Sequence, residues 1–344
     1  MDRGRGHMGG WAPTRLAKRM AGLAGGAGSL LAVLAAQPAQ ASEGGTNLYL
    51  LGSGGPEAAV LPPIQGVFLV NTLYRYDGEA GGGRQFVVGG NLVAGLEATV
   101  TADFATALWV PTTNFAGGGV LALGAILPFG EPDVSVSATF TGPRGSQATR
   151  SLSDSAFVVG DPVVTGAVSW KHGDVTTAVS TLINIPIGDY REDQLANLAF
   201  HRWAADVSVA ATWKPDKSGW DVSGKAGFTF NGENEHTDYD TGTEFHLEGS
   251  VAKTFNPSFS AGLQAYYYNQ VTGDSGAGAV LGSFKGEVTG VGAQAAYNFK
   301  IMDKIPATLR LHAMTEFNAT NRLEGSSVWL DFSMPLHVKM PPGH

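Results

Sequence analysis

Residues 203–213, WAADVSVAATW, alternate without a break. Trp203, Ala205, Val207, Val209, Ala211 and Trp213 fall on one face, and Ala204, Asp206, Ser208, Ala210 and Thr212 on the other. A period of two is the signature of a strand. The next segment, WDVSGKAGFTF (220–230), does the same, with Trp220, Val222, Phe228 and Phe230 opposing Asp221, Ser223, Lys225 and Thr229. A soluble sandwich would also alternate, but its apolar face would be the interior. Here the aromatics sit at the two ends of the apolar face. Trp203 and Trp213 are ten residues apart, about 33 Å along a strand. With the tilt of a barrel strand, about 40°, this spans roughly 25 Å, the height of the apolar band of a transmembrane barrel. Phe245 and Phe255 bracket FHLEGSVAKTF at the same spacing, with Leu247 and Val251 between them. Rings at both rims suit the membrane interface, where one side is apolar and the other wet. The charged face must then be the inside.

The same template finds strands at about 66–77, 91–110, 117–128, 161–171, 174–186, 202–213, 219–231, 244–254, 258–270, 286–299, 305–317 and 325–336. An even count of about twelve brings the chain back to its starting side, as single-chain bacterial barrels require. Connections such as KHGD (171–174), KPDKSG (214–219), FNPS (255–258) and KIMDKIP (300–306) are short, whereas 187–201, 232–243 and 271–285 are long. The fold expected is therefore all-β: a transmembrane antiparallel β-barrel with short periplasmic turns and long extracellular loops. LINIPIGDYR (182–191) and AILPFGEPD (125–133) read as outward strands ending where apolar chain becomes wet loop, with a proline tolerated where the ladder stops. DVSVSATF (133–140) alternates too, but counting it as a span would make the total odd, so it reads as an extension within an outer loop.

Composition fits export into a membrane. Only 15% of residues are charged, 43% are hydrophobic, 48 are glycine and none is cysteine. There is neither a disulfide framework nor a thiolate metal site to build on. The net charge of −8 without a basic block excludes nucleic acid as an expected partner. Arg3, Arg5, Arg15, Lys18 and Arg19 precede the weakly apolar run MAGLAGGAGSLLAVLAA (20–36) and the small-residue stretch AQA (39–41). This is a secretory signal pattern, with cleavage expected after Ala41. The expected layout is a signal peptide at 1–41, an N-terminal plug or hatch at 42–65, a barrel at 66–337 and a short tail at 338–344. The plug is expected because 42–65 does not alternate, yet Leu48, Tyr49, Leu50, Leu51, Val60, Leu61 and Ile64 need burial; the alternative is a partly ordered periplasmic flap.

Alternation assigns Arg75, Asp206, Lys225, Glu244, His246, Glu248, Arg310, His312 and Glu316 to the lumen, with Glu97, Asp103, Lys171, Asp221 and Asp331. Buried charge is costly unless paired, so these groups either brace a narrow wall or filter solutes by size and charge. Gln264, Tyr266 and Tyr268 share that face. A tyrosine pair beside amides can cradle a ring or hydroxyl, or simply fill space. Catalytic signatures are lacking. GDSG (273–276) is a turn in a glycine-rich loop, and no G-x-S-x-G, H-E-x-x-H or P-loop occurs. His246 and His312 fall inside, whereas a barrel phospholipase displays its Ser and His on the lipid-facing wall. The oxygen donors Asn231, Glu233, Glu235, Asp238 and Asp240 do not follow EF-hand spacing and read as a solvated loop. No catalysis, cofactor or resident metal is expected. VWLDFSMPL places Phe332 within the last strand rather than at its end.

Several stretches carry a resemblance: GTNLYLLGSGGPEAAVLPPIQGVFLVN (45–71), ILPFG (126–130), GDPVVTGAVSW (160–170), NIPIGDY (184–190), LANL (195–198), TFNGENEHTDYDTGTEFHLE (229–248), YYYNQVTGDSGAGA (266–279) and NRLEG (321–325). Together they resemble a family of proteobacterial outer-membrane proteins associated with the meta-cleavage pathway of phenol degradation. That family is distantly similar to channels admitting fatty acids and aromatic hydrocarbons. The resemblance implies an outer-membrane channel for passive uptake of small hydrophobic or aromatic compounds. Its expected partners are such solutes, outer-membrane lipid and lipopolysaccharide, and the barrel assembly machinery. A narrow general porin, or a structural barrel without a specific solute, is the alternative. The family supplies no catalytic residues to carry over.

Overall fold

The computed structural model describes residues 43–80, 85–88, 91–141 and 147–339. The expected signal peptide at 1–41 and the end of the expected tail lie outside the described residues. Twelve strands form one antiparallel ring: β1 (Gly66–Glu79), β2 (Leu96–Phe115), β3 (Gly119–Thr141), β4 (Val163–His172), β5 (Val175–Asn184), β6 (Ala204–Trp213), β7 (Trp220–Asn231), β8 (Glu244–Asn256), β9 (Phe259–Gln270), β10 (Glu287–Ile301), β11 (Ile305–Thr320) and β12 (Glu324–Val338). Each pairs with its neighbour in sequence, and β1 pairs with β12 from Gly66↔Val338 to Glu79↔Glu324, which closes the barrel. Closure satisfies every ladder and removes the sheet edges, the condition for crossing lipid with strands. Phe332 lies within β12, opposite Asn71 and Leu309.

The wall shows why the alternation is so regular. Trp203, Val207, Val209, Trp213, Trp220, Val222, Phe228, Phe230, Leu247 and Val251 are all exposed on the outside, while Asp206, Ser208, Thr212, Asp221, Ser223 and Thr229 are buried within. Apolar side chains outside and polar ones inside invert the pattern of a soluble domain, because the solvent around the wall is hydrocarbon. The periplasmic turns are tight. Met302 and Asp303 both take positive φ in the three-residue connection between β10 and β11, where Lys304 N donates to the Ile301 carbonyl at 3.1 Å, as in the turns that match strand twist.

Two outer features differ from the sequence reading. β3 does not end at Pro128; it runs on to Thr141, paired with β2 as far as Val136↔Leu96 and then with the strand Gln147–Ser155. Pro128 instead marks a change of partner. The β3–β4 ladder stops at Ile126↔Val163, and the Pro128 carbonyl accepts from Gly160 N at 2.8 Å. DVSVSATF is thus strand in a hairpin that rises beyond the barrel wall. LINIPIG behaves as read, because β5 ends at Asn184. Loop 185–203 then folds inward over the outer mouth. There Leu195 and Ala196 pack with Ala80, Val88, Leu96, Val134, Val136 and Leu323 in an apolar cluster. Arg191 tethers that loop to the hairpin by two bonds to Asp154, at 3.0 and 3.1 Å.

Candidate functional site: the lumen

The lumen is occupied along its length by residues 43–59 of the same chain. At the outer end Glu43 accepts from Asn234 Nδ2 at 2.9 Å and lies 3.8 Å from Arg202, while Asn47 accepts from Arg322 Nη2 at 3.1 Å. Burial pushes the nearby Tyr190 hydroxyl up to about 12, with Glu43 adding to the shift and Asn234 and Arg202 opposing it. Midway, the Tyr49 ring stacks on His246 at 3.5 Å between centroids and 9° between planes. Lys225 Nζ lies 4.7 Å from the centroid of the same ring. Just below, Gly52 N and Gly54 N donate to the two oxygens of Glu248, each at 2.6 Å. Gln264 donates to the Gly52 carbonyl at 3.2 Å. At the inner end Glu57 N meets Ser223, Ala59 N meets Thr212, and the Glu57 side chain pairs with Lys214.

Glycine is required at this throat. Gly52 adopts φ +92°, with Met314, Tyr266 and Trp329 packed around it. A Cβ on Gly54 would overlap Glu248 Oε2. The N–H groups of Gly52 and Gly54, on either side of Ser53, converge on one carboxylate in the manner of an anion nest, here with the carboxyl on the wall and the donors on the inserted segment.

The strands place the expected residues as follows. Asp206 on β6 accepts from Ser208, Thr229 and His246 at 2.5, 2.8 and 2.9 Å. Ser208 and Asp206 both approach His246 through Nε2, and Ser208 itself donates to Asp206. The trio is therefore a brace rather than a proton relay, which needs the two partners on opposite ring nitrogens. Tyr268 donates to Glu244 and Tyr266 to Glu316, each at 2.8 Å. Tyr76 adds a second bond to Glu316 at 2.8 Å. His312 pairs with Asp331 at 3.2 Å, receives a bond from Gln264 at Nδ1 and stacks on the buried Trp329. Arg310 shares the inward face of β11, near Gly55. Among the described residues no group of three or more acidic or histidine side chains could hold a metal ion.

Arg75, Glu97 and Asp103 are corrected. On β1 the inward side chains are Thr72, Tyr74 and Tyr76, which bond Asp331, pack on Trp329 and bond Glu316 respectively. Arg75 therefore points outward, 57% exposed, where it pairs with Asp77 and reaches Thr101. Glu97 is exposed opposite Glu79, and Asp103 bonds Asn71 across the same outer face. Glu97 and Glu79 sit at the outer end of these strands, where both faces of the wall are wet, whereas Asn71 and Asp103, beside the outward Leu73, satisfy each other by their hydrogen bond.

The sequence reading missed Arg202, Arg322 and Asn234, which come from loops rather than alternating strands. Arg322 lies in the NRLEG stretch, the only advance signal it carried.

A family model described as "Putative MetA-pathway of phenol degradation" matches residues 82–332, well over half of the chain. The chain belongs to this family. Among solved structures, this family member is similar to an outer membrane channel from Pseudomonas putida F1, with a TM-score of 0.63 at 15% identity over 83% of this chain and 99% of that one. A FadL homologue from Pseudomonas aeruginosa gives a TM-score of 0.35 at 12% identity, over 87% of this chain and 97% of that one. No curated protein matches the chain by sequence. The closed ring, its apolar outer belt and the shared fold make this phenol-degradation family member a β-barrel of the bacterial outer membrane, with a channel architecture.

Proposed function

We propose that the protein is a plugged outer-membrane channel for passive uptake of small hydrophobic or aromatic compounds that feed catabolism, working without cofactor or catalysis. In this reading residues 1–41 direct export and are removed, residues 42–65 are the plug, 66–337 the barrel, and 338–344 a short tail. The barrel assembly machinery inserts it among lipid and lipopolysaccharide. The observation that carries the reading is the inserted segment itself. It is held by Glu248, His246 and Gln264 midway along the lumen, where a general pore would need open water-filled space. The family's link to phenol degradation supplies the solute class. A structural barrel with a permanently sealed lumen is favoured by the same dense pairing, and one experiment separates the two. Initial uptake is measured in cells with and without the protein, for a panel running from a sugar through phenol and toluene to a fatty acid. A gain confined to aromatic or apolar members supports the channel. An equal gain for sugar makes it a general porin, and no gain for any member makes it a sealed barrel.

A further inference from the structure

Arg322 sits in the turn between β11 and β12, only 9% exposed. Its side chain enters the outer end of the lumen. Nη2 donates to Asn47, and the guanidinium carbon lies 4.4 Å from the centroid of the Tyr268 ring. Nε and Nη1 have no hydrogen-bond partner among the described residues. A guanidinium carries five N–H donors and no acceptor. Buried donors are matched by protein, water or ligand in the great majority of native structures, because an unmatched one keeps its full desolvation cost.

The surroundings say what kind of acceptor fits. The lumen wall around Arg322 is aromatic and its hydroxyls are already engaged, Tyr76 and Tyr266 on Glu316 and Tyr268 on Glu244. Leu323, the next residue, belongs to the apolar cluster beneath the outer loops, and Tyr76 packs against that cluster. Tyr266 and Tyr268 are covered by Tyr49 and Leu51 of the inserted segment, so a solute ring reaches them by taking that segment's place. Glu244 and Glu316 lie close enough to Arg322 to act on its charge, and Glu43 lies 3.8 Å from Arg202. An ionised carboxylate brought to Arg322 would also approach Glu316, whose oxygens already take two tyrosine hydroxyls. A neutral oxygen would gain a charge-assisted bond without adding charge.

We propose that Arg322 is a head-group recognition residue, selecting neutral aromatic solutes that carry a hydroxyl or carbonyl oxygen. The oxygen accepts from Nε or Nη1, and the ring lies along the tyrosine wall. A bare hydrocarbon leaves the guanidinium unmatched, which is how a site built for a polar group rejects an analogue lacking it. The proposal rests on the uptake reading above and narrows its solute class.

The test is fluorine NMR binding of three probes to the purified full chain in detergent: 4-fluorophenol, fluorobenzene and 4-fluorobenzoate. Wild type is expected to bind 4-fluorophenol about ten-fold more tightly than either other probe. Arg322→Met should lower its affinity to the fluorobenzene level, and Arg322→Lys should retain part of the preference. Heat-modifiable gel migration checks that each variant is a folded barrel; if Arg322→Met fails to fold, Arg322→Lys and the wild-type probe ranking decide. Equal wild-type affinity for 4-fluorophenol and fluorobenzene, or an Arg322→Met variant that still prefers the phenol, overturns the proposal. So does tighter binding of the benzoate. Arg322-dependent binding together with no uptake of any solute by cells would overturn the channel reading and leave the site standing. Uptake of phenol and toluene alike, unchanged in Arg322→Met, would do the reverse.

Discussion

Glu248 is the residue on which the closed lumen turns. It is 5% exposed and both its oxygens are committed to the backbone of the inserted segment. A buried hydrogen bond contributes about 0.5–1.5 kcal/mol, and leaving its N–H donor unmatched costs about 1–3 kcal/mol. Glu248→Ala is therefore expected to loosen the segment and raise ion conductance in planar bilayers several-fold, with the barrel still formed. Gly54→Ala should act in the same direction, because its Cβ displaces the same carboxylate. Conductance unchanged in both variants would mean that Glu248 does not hold the segment. Arg75→Ala provides the contrast: an outward side chain paired with Asp77 should leave conductance at the wild-type value. Its misreading has a physical cause. GVFLVNTLYRYDGE carries apolar and polar residues on both faces, and Tyr74 and Tyr76 look like interfacial rings, whereas Tyr74 packs on Trp329 and Tyr76 donates to Glu316 inside the lumen. Asp206, His246 and Glu248, by contrast, were legible because their strands are bracketed by unambiguous lipid-facing aromatics. Arg322 was not, since a turn residue has no period to read.

Among the elements, the outer hairpin and loop 185–203 form a cap joined through Asp154. Its carboxylate accepts from Arg191 twice and from Ala196 N at 2.9 Å. Partial burial pushes this carboxyl's pKa up, but the Ala196 N–H and the Arg191 guanidinium outweigh it and hold the pKa below the ordinary Asp value. A depressed folded pKa means the contribution is fully present above the unfolded value, about 3.9, and is lost as pH falls through the lower folded value. Hydrogen exchange of the 191–197 segment, corrected for the intrinsic pH dependence, should show protection that holds at neutral pH and collapses only below about pH 4. Asp154→Asn should exchange about ten-fold faster at pH 7 and lose the acid step. Protection that survives in Asp154→Asn would show that the apolar cluster alone holds the loop. The twelve spans were readable because lipid enforces alternation over each of them. The hairpin was harder to place, since two strands that keep pairing above the membrane alternate just as well, and periodicity does not report where the bilayer stops.

For the whole molecule, the decisive physical claim is that the wall's outer face meets hydrocarbon with a graded depth. Val209 lies on β6 between Trp203 and Trp213 and is 58% exposed, which sets it near mid-bilayer. Val175 begins β5 opposite Trp213 on the same outer face, at the periplasmic rim. In water the two positions would tolerate a charge equally. In a bilayer an arginine on the lipid face costs about 2–4 kcal/mol at the midplane and about 0–1 near the interface. Val209→Arg should therefore lower the unfolding free energy in lipid vesicles by about 2–4 kcal/mol, and Val175→Arg by less than about 1. Denaturant titration with tryptophan fluorescence reads both, since Trp203, Trp213 and Trp220 all lie on the lipid-facing wall. Equal losses at the two sites would contradict the depth assignment and with it the placing of the aromatic rims. A graded loss would fix the axis on which the inserted segment, the Glu248 latch and the Arg322 chamber are ordered from the inner end to the outer. Only with that axis fixed does a solute's route become a sequence of encounters, first with the cap, then with Arg322, then with the throat.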